Sequence, residues 1–457
     1  MTLKVINPFD QSVYRELSFD TTASLEKKIQ AARTAAQQWR EVPLAERVAA
    51  VRAGLDHFRT HGDAIAAEIT AQMGKPITES HNELSGFFAR AEHMLAIAPD
   101  TLLPEKLPHQ ENLHRRIERE PLGVVLNIAA WNYPLLIAVN VVVPARVAGN
   151  SVLLKHSART PLCGEHFQNA FDHIPGLATH LVISHDQTHR LIQDPRIDHV
   201  VFTGSVEGGR HVHQAAAGRF IDVGLELGGK DPAYVAEDAD LAFTVPNVVE
   251  GALYNAGQSC CGVERVYVHR SIYDDFIEKA ADALARYQPG DPTDPGTTLG
   301  PLANRSAMGV LDYQVKDALQ KGARLVTGGG PLEGSNGNFY RPTLLADVAS
   351  DADVMREESF GPLLPVRAVD SDAQALAEMN DSRYGLTASV WTRSRDRAEW
   401  FAARLEAGTI YQNRCDYLDP GLPWTGVKDS GRGSSLSRFG YYMLTRPKSI
   451  HFRTVPG

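Results

Sequence analysis

The feature that most constrains the fold is an alternation of short apolar runs with longer helix-like segments, which starts at Gly123. The apolar runs lie at residues 124–128, 152–154, 181–183 and 199–202. Strand, helix and strand in repeated succession are typical of βαβ units, in which parallel strands pair and helices cover the sheet. This part of the chain is therefore predicted to form an α/β domain around a parallel sheet.

A second α/β region is predicted to begin near Gly229. Short runs with strand character recur at residues 267–269, 324–327 and 363–368, and no internal repeat or low-complexity segment is present. A chain of 457 residues has room for about two to four domains. Because no segment has the composition of a flexible linker, the domains are expected to share a broad interface.

The segment before Gly123 is predicted to be helical. Apolar residues recur at the 3.6-residue spacing of a helix over residues 25–39 and again over residues 44–58. A third helix is predicted to end at Met73, because Gly74 can adopt the left-handed conformation of a helix C-cap and Pro76 cannot continue a helix.

Composition argues against several classes of protein. The net charge of −9 lacks the basic excess of a nucleic-acid-binding surface. The most apolar stretch, residues 135–143, is shorter than the roughly 20 residues of a membrane span, and the first residues contain no signal-peptide core. The four cysteines, Cys163, Cys260, Cys261 and Cys415, show neither a disulfide framework nor metal-binding spacing. We expect a cytoplasmic protein without a metal site and without membrane or nucleic-acid partners.

One of these cysteines is a candidate nucleophile. The segment GQSCC, at residues 257–261, lies between a helix-like stretch and a strand, and a cysteine in a glycine-bearing turn can present its sulfur to a cleft. A thiolate is a strong nucleophile when a helix N-terminus, a cation or a base stabilises it. The alternative is that Cys260 and Cys261 are small buried hydrophobes, which is the commoner role of a cysteine.

Glu226, in the segment LELGGK at residues 225–230, is a candidate general base. A carboxylate flanked by leucines at the end of an apolar strand is poorly solvated, and desolvation raises its pKa toward that of a working base. The alternative is a structural salt bridge from Glu226 to Lys230 or to an arginine.

Two further candidates lie in turns that follow predicted strands. Gly204 and Ser205 come between a strand and the start of a helix, where free backbone N–H groups and the helix dipole can hold a pyrophosphate. Asn132 can direct its amide N–H at a developing oxyanion, which is worth about 3–4 kcal/mol of transition-state stabilisation. The alternatives are a common Gly-Ser turn and an Asn-Tyr-Pro turn without a catalytic role.

Taken together, these segments resemble the aldehyde dehydrogenase superfamily over nearly the whole chain. Seven motifs occur in the order of that family, and this order argues strongly against a chance match. They are PLGVVLNIAAWNYPL (121–135), GNSVLLK (149–155), FTGSVEGG (202–209), LELGGK (225–230), GQSC (257–260), EESFGP (357–362) and PWTGVKDSGRG (423–433).

The resemblance implies a role for each matching residue. It implies Cys260 as the nucleophile, Glu226 as the general base and Asn132 as the oxyanion donor. It also implies that NAD⁺ or NADP⁺ is the cofactor. The residues expected to bind it are Ser205 at the pyrophosphate, Glu358 at the nicotinamide ribose, Phe360 beside the nicotinamide, and Lys155, Ser157, Ala158, Gly204, Trp131 and Leu227.

The reaction implied by the resemblance is the oxidation of an aldehyde to a carboxylic acid. Cys260 attacks the aldehyde carbon, the nicotinamide accepts a hydride, and water activated by Glu226 hydrolyses the resulting thioester. Members that pass the thioester to coenzyme A commonly lack the glutamate, so Glu226 favours water. The other alternative is a catalytically silent structural protein on this fold, and the retention of Asn132 with the other two groups argues against it.

The resemblance also implies an α/β architecture of three parts. They are a Rossmann-like coenzyme domain (residues 1–103 and 122–228), an α/β catalytic domain (229–429) and a small β oligomerisation element (104–121 and 430–457). The last would join a β-hairpin near residues 104–120 to a C-terminal strand near residues 448–453. A homodimer or homotetramer is expected.

The sequence departs from the family pattern after Lys155. It has His156, Ser157 and Ala158 where proline, a small residue and glutamate are usual, and in the family that glutamate holds the adenosine ribose hydroxyls. Ala158 therefore predicts that NADP⁺ is accepted as well as NAD⁺ or better. Lys155 and Arg159 could add positive charge there, although Arg159 could also point to solvent.

The substrate pocket is expected to include Tyr133, Asn140, Cys261 and Trp424, the last being either a wall of the substrate tunnel or a core tryptophan. Succinate-semialdehyde members often carry an arginine eight residues after the oxyanion asparagine, where this chain has Asn140. Arg414 could substitute for that arginine or could pair with an aspartate. The sequence favours a neutral or modestly polar aldehyde as the substrate, with a semialdehyde second.

Overall fold

The computed structural model describes residues 2–455. The predicted domains begin at residue 1 and end at residue 457, so residues 1, 456 and 457 lie outside the described residues. No helix within this range is both long enough and apolar enough to cross a membrane.

The helices form where the apolar spacing predicts them. The first helix buries Ile29, Ala32 and Trp39 on one face, and the third ends at Met73 with Gly74 in the left-handed conformation (φ 82°), as predicted. The helices are α1 (Thr22–Trp39), α2 (Leu44–Thr60), α3 (Gly62–Met73), α4 (Ile77–Leu102), α5 (Pro134–Val147), α6 (Pro161–Asn169), α7 (His185–Gln193), α8 (Val206–Ala216), α9 (Leu241–Leu253), α10 (Tyr273–Leu284), α11 (Arg305–Gln320), α12 (Asp353–Arg356), α13 (Asp372–Asn380), α14 (Arg395–Ala402) and α15 (Ser437–Met443).

The strands are short and mostly buried, which agrees with the brief apolar runs of the sequence. They are β1 (Thr2–Ile6), β2 (Val13–Ser18), β3 (Glu105–Lys106), β4 (Leu113–Pro121), β5 (Val124–Ala129), β6 (Ser151–His156), β7 (Ala178–His180), β8 (His199–Thr203), β9 (Val223–Glu226), β10 (Asp231–Val235), β11 (Val263–His269), β12 (Arg324–Thr327), β13 (Thr343–Ala346), β14 (Leu363–Val369), β15 (Tyr384–Gly385), β16 (Thr387–Trp391), β17 (Thr409–Gln412), β18 (Val427–Lys428), β19 (Gly431–Arg432) and β20 (Thr445–Arg453).

The first large sheet has the order β19-β9-β8-β5-β6-β7 and is parallel except at β19. Its strands alternate with helices α5 to α8, which confirms the predicted βαβ succession. The apolar run at residues 181–183 is not part of a strand. Strand β7 ends at His180, because the chain leaves the sheet there to reach Ser184, the N-cap of α7.

The second large sheet has the order β12-β13-β14-β11-β10-β16-β17 and is parallel except between β12 and β13. It contains all three runs that the sequence marks as strands after Gly229. Parallel strands buried on both faces are expected to read as continuous apolar runs, and β10 and β16 are buried along their whole length.

A separate three-stranded sheet has the order β20-β4-β3. Strand β20 pairs antiparallel with β4 from Thr445 opposite Pro121 to Arg453 opposite Leu113. The sheet therefore joins a hairpin in the first quarter of the chain to its C-terminal strand. In this order β20 is an edge strand, so one of its two sides is unpaired.

Candidate active site

The candidate catalytic groups meet at one edge of the first large sheet. Glu226 is the last residue of β9, Asn132 follows β5, and Gly204 and Ser205 follow β8. These strands are parallel neighbours, so their carboxyl ends open on the same side, where open α/β sheets bind ligands. Cys260 comes from the loop that precedes β11 of the other large sheet.

A cavity of about 350 Å³ lies between these elements. It brings together all three predicted catalytic residues and all four predicted pocket residues, and it also contains Leu227, which was predicted to bind the coenzyme. The predicted residues that line it are Asn132, Tyr133, Asn140, Glu226, Leu227, Cys260, Cys261 and Trp424. The geometry therefore supports one reaction centre.

The loop that carries Cys260 has an unusual backbone. Asn255 and Ala256 have φ angles of 52° and 54°, and Gly257 has a φ of 72°. A Cβ atom at Gly257 would lie 2.2 Å from the carbonyl oxygen of Gly361. Only glycine fits this close approach, and such strain is often found at functional sites.

The two adjacent cysteines have different surroundings. Cys261 is buried, and its thiol donates a hydrogen bond to Oδ1 of Asp416 at 3.0 Å. Its hydrogen bond with Cys260, together with burial and the Asp416 carboxylate, raises the pKa of Cys261 well above the usual value. Cys260 is partly exposed to the cavity. Cys261 is therefore held as a neutral thiol, and Cys260 is the sulfur accessible to a substrate.

Asn132 is held directly beside this loop. Its side-chain amide donates to the carbonyl oxygen of Gln258 at 3.2 Å. Asn255 in turn donates from its side-chain amide to the carbonyl oxygens of Asn132 (3.0 Å) and Gln258 (3.1 Å). Asn255 thus ties the oxyanion candidate to the nucleophile loop, a role that no local motif in the sequence indicates.

Glu226 accepts two side-chain hydrogen bonds. Thr203 donates to Oε2 at 3.1 Å, and Ser435 donates to Oε1 at 2.5 Å. Burial raises the pKa of Glu226, and these two hydrogen bonds and the nearby Arg90 partly offset that rise. The alternative of a salt bridge to Lys230 is wrong, because Lys230 pairs with Glu264 at 2.7 Å.

A second cavity of about 660 Å³ lies beside the first, and both contain Thr203 in their lining. The N-terminus of α8 opens into it, and the Ser205 hydroxyl caps that helix by accepting from the backbone N–H of Gly208 at 3.1 Å. A Cβ atom at Gly204 would lie 2.6 Å from the Phe202 ring. The predicted coenzyme residues that line it are Trp131, Lys155, Ser157, Gly204 and Ser205.

Lys155 is the buried cation of this cleft. Burial lowers the pKa of Lys155, and its ammonium group makes no ion pair within residues 2–455. Ala158 is exposed near the cleft and does not line it. Arg159 stacks on the Trp131 ring, with 5.2 Å from the guanidinium carbon to the ring centroid, so it does not simply point to solvent.

Glu358 and Phe360 do not line either cavity, but each contacts a residue in or near the cavity lining. Glu358 accepts from the backbone N–H of Gly229 at 3.2 Å, and burial raises its pKa. The Phe360 ring meets the Trp131 ring edge to face at 5.6 Å. Glu264, which the sequence analysis missed, accepts from the backbone N–H groups of Ser359 and Phe360, both at 2.8 Å.

The structure shows the position of the Arg414 side chain, which the sequence analysis considered for the substrate carboxylate or for a pair with an aspartate. This side chain is exposed and stacks on Tyr417, with 3.4 Å from the guanidinium carbon to the ring centroid. It does not line the substrate cavity, and it forms no ion pair with any aspartate in the described part of the chain. The pairing of Arg414 with an aspartate is therefore wrong, whereas its role at a substrate carboxylate stays a prediction, since its neighbour Tyr417 lines the cavity. The cavity contains a different arginine, Arg90.

Trp424 combines the two roles considered for it. It lines the cavity, and it also packs in a small buried cluster with Cys261, Leu386 and Leu436. Tyr133 is held from the other side by Lys75, whose ammonium nitrogen lies 4.1 Å from the centre of the Tyr133 ring.

Comparisons with known proteins agree with this geometry. A model of the aldehyde dehydrogenase family matches residues 1–450. The chain is 34% identical over 448 residues to succinate-semialdehyde dehydrogenase (NADP⁺) of Deinococcus radiodurans, covering 97% of this chain and 94% of the relative. It is 34% identical over 454 residues to the succinate semialdehyde dehydrogenase (NAD(P)⁺) Sad of Escherichia coli, with coverage of 97% and 96%. The structure of succinic semialdehyde dehydrogenase from Streptococcus pyogenes with NADP⁺ is similar, with a TM-score of 0.95, 30% identity and coverage of 99% and 100%.

Proposed function

This chain belongs to the aldehyde dehydrogenase family and is an NAD(P)⁺-dependent aldehyde dehydrogenase, and we propose that Cys260, Asn132 and Glu226 carry out its reaction. The observation that carries the proposal is that these three side chains line one cavity although they come from different strands and loops. A nucleophile, an oxyanion donor and a base in one cavity are the groups that acyl transfer through a cysteine requires.

The first step belongs to Cys260. Its thiolate forms a bond to the aldehyde carbon, and the carbonyl oxygen becomes an oxyanion. The Asn132 amide and the backbone N–H of Cys260 donate hydrogen bonds to this oxygen. Because Asn255 holds Asn132 against the loop, these donors are positioned before the substrate arrives, which makes them effective in the transition state.

The second cavity suits NAD⁺ or NADP⁺. Its volume of about 660 Å³, the helix N-terminus at Ser205 and the unpaired ammonium of Lys155 fit the pyrophosphate and hydroxyl groups of a dinucleotide. A bound nicotinamide would supply the hydride acceptor for the carbon attached to Cys260. Trp131 and Phe360 pack against each other near this cleft and limit the access of water.

Glu226 completes the reaction. Since burial raises its pKa, its carboxylate can take a proton from water near neutral pH. The water oxygen bonds to the thioester carbon, the carbon–sulfur bond breaks, and the acid leaves as Cys260 becomes a thiolate again. The presence of this base favours water over coenzyme A as the acceptor, and turnover that requires added coenzyme A would contradict this assignment.

We also propose the three-part division of the chain into a coenzyme domain (1–103 and 122–228), a catalytic domain (229–429) and an oligomerisation element (104–121 and 430–457). The strands of the two large sheets, except for β19, fall within the first two parts, and β20 with its unpaired side falls in the third. We propose a homodimer or homotetramer in the cytoplasm. The four free thiols suit a reducing compartment.

A pair of matched variants tests the nucleophile. Cys260→Ala is expected to abolish the formation of NADH or NADPH with any aldehyde, because no thioester can form. Cys261→Ala is expected to keep most of the activity, because this thiol is neutral and bonded to Asp416. Turnover is followed by the absorbance of the reduced coenzyme. The opposite pattern, with activity lost only in Cys261→Ala, would overturn the assignment.

A further inference from the structure

We propose that Arg90 determines the substrate, by binding the carboxylate of a short oxo acid whose aldehyde group reaches Cys260. The inference rests on the proposed function of the cavity, because it names the class of aldehyde that the cavity accepts. It assigns a binding role to Arg90, which lies outside every motif of the sequence analysis and well before the first of them, at residues 121–135.

Arg90 lies on α4 and is the only Lys, Arg or His side chain that lines the cavity within residues 2–455. Its Nη1 donates to the carbonyl oxygen of Leu136 and to Oδ1 of Asn140, both at 3.2 Å. Within the described residues, its other guanidinium nitrogens have no hydrogen-bond partner and the side chain makes no ion pair. These nitrogens can therefore bind a ligand.

Four of the five acidic side chains that line the cavity are engaged elsewhere, and the fifth, Glu250, is exposed to solvent. Glu83 pairs with Lys75, Asp416 accepts from Ser259 and Cys261, and Glu226 accepts from Thr203 and Ser435. Glu79 accepts from the backbone N–H of Asn255, and burial raises its pKa to about 8, so it is largely neutral at pH 7. None of them forms an ion pair with Arg90.

An unpaired guanidinium in a partly dehydrated cavity is costly unless a ligand neutralises it. An arginine stays charged in proteins, and its planar fork matches the two oxygens of a carboxylate. A carboxylate that displaces water from Arg90 gains charge-assisted hydrogen bonds that a neutral aldehyde cannot form. The arrangement at Arg90 is therefore suited to an anionic substrate.

Arg90 also contacts the side chain of Asn140. In α5, Asn140 stands where semialdehyde members often have an arginine, and here its side chain receives a hydrogen bond from Arg90. The cation thus reaches the same region of the cavity from the facing helix α4. Arg90 and Cys260 line the same cavity of about 350 Å³, and this small volume favours a short oxo acid.

The competing role for Arg90 is purely electrostatic. Its charge lies close enough to lower the pKa of Glu226, so it could tune the base without touching the substrate. In that case the loss of Arg90 would affect all aldehydes alike. Binding of a carboxylate affects only the substrates that carry one, and this difference separates the two roles.

The test compares kcat/KM for matched substrates in the full-length protein. Each oxo acid is paired with an alkanal of the same carbon number: succinic semialdehyde with butanal, and glutaric semialdehyde with pentanal. The wild type is expected to prefer the oxo acid in at least one pair. Arg90→Gln is expected to lower kcat/KM for that oxo acid, mainly through KM, by roughly 10- to 150-fold more than for the matched alkanal. Arg90→Lys, which keeps the charge, is expected to retain part of the preference.

Arg395→Gln is the matched control, because it removes an exposed arginine whose ion-pair partner, Glu399, does not line the cavity, and it is expected to change neither substrate class. A wild type that oxidises the alkanals at least as well as the oxo acids would overturn this inference and leave the proposed function intact, and that comparison needs no variant. An equal loss for both classes in Arg90→Gln would assign the electrostatic role instead. A wild type that oxidises none of these aldehydes would contradict the proposed function itself.

Discussion

At the scale of single residues, neighbouring groups decide what each reactive side chain can do. Burial raises the pKa of both Glu226 and Cys261, but their hydrogen bonds act in opposite directions. The Glu226 carboxylate accepts from Ser435 and Thr203, and this stabilises its charged form. The Cys261 thiol donates to Asp416, and this stabilises its neutral form. Glu226 therefore remains a usable base, whereas Cys261 does not become a thiolate.

Ser435 provides a test of this balance. Ser435→Ala removes a hydrogen bond from the ionised Glu226, so the pKa of Glu226 should rise further. The base acts only when it is deprotonated. The acidic limb of the kcat–pH profile should therefore move to higher pH, and kcat at pH 7 should fall by roughly tenfold and recover in alkali.

Glu226→Gln serves as the reference for this experiment. Without a base it should release one burst of NADH or NADPH and then stall as the thioester at every pH. If the profile of Ser435→Ala coincides with that of the wild type, the hydrogen bond has no influence on the base. Steady turnover in Glu226→Gln would remove Glu226 from the mechanism.

The choice of coenzyme is also expected to depend on one residue, Ala158. It lies next to Ser157, which lines the cleft, and a glutamate at this position would repel the 2′-phosphate of NADP⁺. Two unit charges about 4 Å apart interact by roughly 1 kcal/mol in water and roughly 4 kcal/mol at an effective dielectric near 20. Ala158→Glu should therefore shift the ratio of kcat/KM from NADP⁺ toward NAD⁺ by about ten- to several-hundred-fold. Undetectable NADP⁺ activity in the wild type, or an unchanged ratio in the variant, would refute the role of Ala158.

At the scale of elements, strand β20 can pair with a second strand in addition to β4. One side pairs with β4 over its whole length, and the other side pairs with no strand among residues 2–455. Phe452 near its end is 58% exposed. Unpaired strand edges with apolar side chains are prone to pair with another chain, and this supports β20 as an assembly surface.

Truncation of this strand tests the assembly. Deleting all residues after Lys448 removes Ser449 to Arg453, more than half of the paired length of β20, and should weaken the oligomer. Light scattering at several protein concentrations is expected to show a lower mass than for the full chain. A shorter deletion that begins after Val455 keeps β20 intact and is the control. An unchanged mass in the longer truncation would place the interface elsewhere.

At the scale of the whole molecule, the proposed reaction centre lies where the two large sheets meet. Asn132 and Glu226 follow strands of the first sheet, whereas the Cys260 loop leads into the second. The strained turn at Gly257 fits against Gly361 only when the loops are packed together. The side chains of the cavity are therefore positioned by packing between elements that lie far apart in the chain.

The sequence by itself determined the α/β class, the end of α3 at Gly74, and the segments that supply Cys260, Glu226 and Asn132 to one cavity. These features depend on apolar periodicity and on short motifs, which act over a few neighbouring residues. Only the tertiary structure decided the partners of those groups. Ser435 lies 209 residues from Glu226, and Arg90 reaches Asn140 from another helix 50 residues away. The sequence offered only Arg414 as an alternative cation for a substrate carboxylate, because periodicity does not show which long side chain of a facing element turns into a cavity and which turns to the surface.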